Sequence, residues 1–92
     1  MIHLQSTYKL IQCAFPNGIE PQAYLPLLSL LSEGMSDRNL AEVVAYCSGK
    51  DYSVVLNDVY WLQSIDVLKR DAMANVKERL LVCGYEQWLE KE

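Results

Sequence analysis

Apolar side chains recur at helical spacing along most of this chain. Leu4, Tyr8, Ile11 and Phe15 lie four, three and four residues apart, which sets them on one face of a helix with 3.6 residues per turn. The stripe stops at Phe15-Pro16-Asn17-Gly18. There proline removes a backbone donor and disfavours helix in the residue before it, and Asn-Gly accepts positive φ. Pro21 suits a first helical turn, where the N–H it lacks would have no partner. Pro26 comes five residues later. The pattern therefore predicts a short turn over 21–25 and a new helix from Pro26 through Leu27, Leu28, Leu30 and Leu31. That run is apolar on more than one side, as a central, buried helix must be.

Ser36 is placed to cap a helix, with Asp37 in the first turn where a carboxylate meets the positive end of the dipole. Leu40, Val43, Val44 and Cys47 follow at helical spacing. Asp51 or Ser53 caps the next helix, whose inner face reads Tyr52, Val55, Val59 and Leu62, with Tyr60 and Trp61 beside it. Ser64-Ile65-Asp66 is a weak boundary, and the pattern leaves open whether 52–83 is one helix or two. Met73, Val76, Leu80 and Cys83 form the last stripe, after which a tail with Tyr85, Trp88 and Leu89 folds back onto the body. Gly34, Gly49 and Gly84 each follow an apolar run, where a left-handed cap is wanted. Leu10-Ile11-Gln12-Cys13-Ala14-Phe15 and Leu80-Leu81-Val82-Cys83-Gly84-Tyr85 echo one another, which reads as similar helix termination. The expectation is an all-α, compact single-domain bundle of about five helices spanning residues 1–92.

The stretch Phe15-Pro16-Asn17-Gly18-Ile19-Glu20-Pro21-Gln22-Ala23-Tyr24-Leu25-Pro26-Leu27-Leu28-Ser29-Leu30-Leu31 resembles the signature of a family of small all-helical bacterial proteins of unknown function, mainly actinobacterial. Its pattern is an aromatic, Pro, any residue, Gly, Val or Ile, any residue, Pro, then Tyr-x-Pro-Leu-Leu-x-Leu-Leu. Arg79-Leu80 followed by Gly84-Tyr85 is similar to the family's closing helix. The likeness runs over about residues 8–85, but only the proline-containing stretch is specific. Ala23 stands where the family is commonly acidic, and Glu86 where a proline is expected. The resemblance implies a helical bundle and supplies no activity, substrate or catalytic residue.

Charge and cysteine content narrow the function classes. The net charge is −4 and is spread evenly between the two halves, which argues against nucleic acid as the main partner, since phosphate binding draws on clustered Lys and Arg. The chain has 3 cysteines and 1 histidine. An odd count with no Cys-x-x-Cys suggests neither a disulfide framework nor a zinc site, but buried thiols in a reducing compartment. No run approaches the ~20 apolar residues of a membrane span and no export signal opens the chain. The expectation is a cytoplasmic protein without metal or cofactor.

Catalytic constellations are sparse. His3 sits in a first turn, a poor place for a triad base. Asp37, Glu42, Asp58, Asp66 and Asp71 are the carboxylates that could converge in space, while Asp66 and Arg70 at four-residue spacing read as a solvated pair. The glycines are scattered singly, so no phosphate-cradling loop is present. No catalytic residue is expected. With 6 tyrosines and 2 tryptophans, so small an interior cannot hide every ring, and aromatic side chains anchor protein interfaces. The leading expectation is a non-enzymatic protein–protein interaction module that binds another protein or itself through Tyr60, Trp61, Tyr85 and Trp88. The alternative is a helix-turn-helix-like nucleic-acid-binding regulator built on 37–63, with Lys69, Arg70, Lys77 and Arg79 touching phosphate. Its second helix offers Asn57, Asp58 and Gln63 but no cation, a weak groove reader.

Overall fold

The computed structural model describes residues 2–64 and 70–90, with side chains described over 4–62 and 71–90. Within them lie six helices and no strand: α1 (Ile2–Ala14), α2 (Pro21–Leu31), α3 (Asp37–Ser48), α4 (Tyr52–Ser64), α5 (Arg70–Val82) and α6 (Tyr85–Glu90). Residues 65–69 between α4 and α5, and with them the question whether 52–83 is one helix or two, lie outside the described residues; the tail is a short helix folded back against α1 and α5. The Cα radius of gyration is 11.9 Å, close to the ~12 Å expected of a single packed domain of this length.

α2 is the centre of the bundle, packed on α3, α4 and α5. Leu27, Leu28 and Leu31 lose all contact with solvent. It is one helix and not a turn followed by a restart. Pro21 occupies the first turn and Pro26 lies inside, where it removes a single hydrogen bond, the one that would end on the carbonyl of Gln22. Gln22 is exposed, so water can take that carbonyl, and burial of Pro26 with the leucines around it offsets the loss.

Both ends of the central packing are closed by named groups. The last four carbonyls of a helix lack partners within it. In α2 the Leu28 carbonyl accepts from the Ser32 backbone N–H at 3.0 Å and the Leu31 carbonyl from Gly34 N–H at 3.1 Å. The Ser29 carbonyl accepts from Ser32 Oγ at 2.7 Å and the Leu30 carbonyl from the Tyr85 hydroxyl at 2.8 Å. α3 begins as its sequence requires, with Ser36 Oγ accepting from Asn39 N–H, and ends at Gly49 with φ 79°.

Gly84 is also left-handed, at φ 96°, but Gly34 has no positive φ. Its glycine is needed for room. A Cβ there would lie 2.7 Å from Cζ3 and 2.8 Å from Cη2 of Trp88. The indole comes so close because α6 folds over this corner.

The cysteines depart from the expectation of three free thiols. Cys13, near the end of α1, and Cys83, just after α5, form a disulfide, leaving Cys47 as the free thiol. The two echoed segments end helices that lie side by side, which brings their cysteines together. Cys47 behaves as expected: burial pushes its thiol up to about 11, so little thiolate exists at neutral pH.

Candidate functional site

Tyr60 and Trp61, on the last turns of α4, are 50% and 44% exposed. α4 turns Val55 and Val59 into the core, and the helical repeat then sends Ser53, Val54, Asn57, Tyr60 and Trp61 outward, all of them exposed. The one charged residue of α4, Asp58, does not join that face. Its Oδ2 accepts from the Tyr24 hydroxyl at 2.7 Å, and burial, reinforced by this carboxylate, raises the Tyr24 phenol well above its ordinary value. Among the described side chains, the outward residues of α4 carry no charge and include two large rings. An uncharged patch of that kind on an acidic molecule has little cost of desolvation.

The other two expected anchors are elsewhere. Tyr85 and Trp88 are 2% and 4% exposed, stacked with ring centroids 5.9 Å apart, and their polar atoms are satisfied: Trp88 Nε1–H donates to Thr7 Oγ1 at 2.8 Å, as Tyr85 does to Leu30. Burial, with the Glu33 charge as a lesser cause, pushes the Tyr85 phenol up to about 12. The pair is a buried wedge that ties α6 to the middle of α1 and the end of α2. The tail's apolar spacing signalled a ring-bearing element, but whether it faces in or out depended on hydroxyl and carbonyl partners far away in sequence.

Of the basic residues proposed to touch phosphate, the side chains of Lys77 and Arg79 are described. Arg79 is committed within the fold. Its Nη1 donates to both Glu20 oxygens at 2.8 and 2.9 Å, its Nε and Nη2 donate to the Ala14 carbonyl at the end of α1, and its guanidinium lies 4.1 Å from the centroid of Phe15. The hydrogen bond from Arg79 holds the Glu20 carboxyl below its usual range. Lys77 is exposed on α5. Lys69 and the side chain of Arg70 lie outside the described residues, as does Asp66. The helix proposed to read the groove, α4, contains no Lys or Arg. Nor do three of His, Cys, Asp and Glu gather anywhere among the described residues.

A second apolar surface escaped the pattern. Leu4, Gln5 and Tyr8 of α1 and Glu42, Val43 and Tyr46 of α3 line a groove of about 360 Å³. The Tyr8 and Tyr46 rings meet at 5.4 Å with an interplanar angle of 57°, and Tyr46 is 76% exposed. The signal available was Glu42 and Tyr46 at four-residue spacing, but it becomes a site only once α3 lies on α1.

Among the described residues, no helix is long and apolar enough to cross a membrane. No family model, curated protein or solved structure matches this chain.

Proposed function

We propose that this chain is a non-enzymatic interaction module that pairs with a second copy of itself through the outward face of α4. The observation carrying this reading is that Tyr60 and Trp61 stand half exposed among outward residues of α4 that, where described, carry no charge. Each copy bears −4, so two copies repel one another least where neither presents a carboxylate. A partner of opposite charge would instead be met by acidic side chains. A contact of α4 on α4 about a two-fold axis is self-complementary, the commonest way for like chains to associate. The likeness of residues 15–31 to the bacterial family is consistent with a helical module and supplies no competing activity.

Cellular location is the second part of the proposal. The Cys13–Cys83 bond favours an oxidising compartment over the cytoplasm suggested by an odd cysteine count, because cytosolic reductants keep such pairs open. Alkylation of the chain in its native cells, followed by intact-mass measurement, decides this: one modified cysteine supports an oxidising home, and three return the chain to the cytoplasm.

Tryptophan emission tests the pairing. Trp61 and Trp88 are the two indoles of the chain, and Trp88 is buried in any case. Acrylamide quenching of Trp61 should fall as protein concentration rises. Quenching independent of concentration in wild type and in Trp88→Phe contradicts the reading.

A further inference from the structure

We propose that the groove between α1 and α3 receives the ammonium end of a lysine side chain from a partner polypeptide. Tyr8 and Tyr46 form two tilted walls and not a closed stack, which leaves the face of the exposed Tyr46 ring open to a ligand. A ring face carries negative electrostatic potential and attracts a cation placed within about 6 Å of its centroid. Glu42 lines the same groove, one helical turn from Tyr46, so a carboxylate and a ring act on one side. Leu4 and Val43 supply an apolar wall for the methylenes of such a side chain, which bury their stem while the charged head meets polar groups.

The molecule uses this chemistry internally in two other places. Lys50 Nζ sits 4.8 Å from the Tyr24 centroid, and Arg79 covers Phe15. Among the described residues, the Tyr8 and Tyr46 rings have no cation of their own, and none of the six groove-lining residues is Lys or Arg. The overall charge of −4 adds long-range attraction for a basic segment. This site lies on α1 and α3 and is independent of the α4 face, so loss of either leaves the other in place.

The test is an NMR titration of the full chain, following the Tyr8 and Tyr46 ring resonances. Three probes are compared: a short peptide with a single lysine, the same peptide with that lysine acetylated, and tetramethylammonium. The lysine peptide should shift both rings in a saturable manner. Affinity should drop about fivefold or more for the acetylated peptide and for Tyr46→Ala, the fold-change of a cation–π contact of about 1 kcal/mol. Glu42→Gln should weaken binding in the same direction. Both positions are exposed, so unchanged helical circular dichroism is expected. The proposal is overturned if the acetylated peptide binds as well, if either variant binds the lysine peptide as tightly as wild type, if tetramethylammonium shifts the rings while the lysine peptide does not, or if none of the probes shifts them.

Discussion

Replacing Gly34 with alanine adds one methyl group at the tightest point of the molecule. That carbon would stand 2.7 and 2.8 Å from two atoms of the Trp88 ring and 3.1 Å from Leu89 Cδ2, well inside the contact distance of about 3.5–4.0 Å between carbon atoms. The indole cannot easily yield. Its Nε1 is tied to Thr7, its face lies on Tyr85, and Tyr85 is itself held by the Leu30 carbonyl. Overpacking of this kind costs about 1–3 kcal/mol. Because Gly34 is not left-handed, alanine also gains about 0.4–1 kcal/mol from restricting the unfolded chain. The balance is a loss of about 1–2 kcal/mol, read by urea denaturation followed by circular dichroism, with a melting temperature lower by roughly 4–8 °C per kcal/mol for a domain of this size. In a Trp88→Phe background the same substitution should cost at least about 1 kcal/mol less, a coupling of the size found between residues in contact, because the smaller ring stops short of both crowded atoms. Gly34→Ala as stable as wild type, or equal costs in the two backgrounds, would refute the packing of α6 against this corner.

Other perturbations address the junction of α1 with α5. The Cys13–Cys83 bond closes a separation of 70 residues, for which chain entropy gives about 4.4 kcal/mol and measured bonds more often about 2–4; Cys13→Ser with Cys83→Ser should lower urea stability by that amount without changing helix content, and no change would show that the two ends are held without the bond. Glu20 has its carboxyl depressed by Arg79, so its contribution is complete above the unfolded value of about 4.3 and is lost as pH falls through the lower folded value. Glu20→Gln should therefore be less stable than wild type at neutral pH and converge with it in acid; a gap independent of pH would contradict the ion pair. Arg79→Met keeps much of the cover over Phe15 but removes the bonds to the Ala14 carbonyl, and should cost about 1–2 kcal/mol at neutral pH, measured in the same urea assay.

Much of the bundle is written in local pattern. The stripes of α1, α3, α4 and α5, the Ser36 cap and the left-handed Gly49 follow from spacing and backbone chemistry within a few residues. What was not legible depends on pairs far apart in sequence. Gly34 looks like a helix stop, and the reason for glycine there is Trp88 from the opposite end of the chain. Cys13 and Cys83 stand in matching segments, but only the packing of α1 on α5 makes the match a bond. Arg79 reads as a free cation until Glu20 and the end of α1 are placed beside it. Ring number alone did call for exposed aromatics, and Tyr60 and Trp61 meet that expectation. Tyr85 and Trp88 do not, since each found a buried partner for its polar atom.

Self-association through α4 is tested most directly by sedimentation equilibrium of wild type and of Tyr60→Ser with Trp61→Ser, from low to several hundred micromolar. Both positions are exposed, so the double variant retains the fold, which its circular dichroism verifies. Wild type should pass from monomer to dimer with rising concentration while the variant stays monomeric. A wild type that remains a monomer throughout, or a dimer that survives the double substitution, contradicts the account.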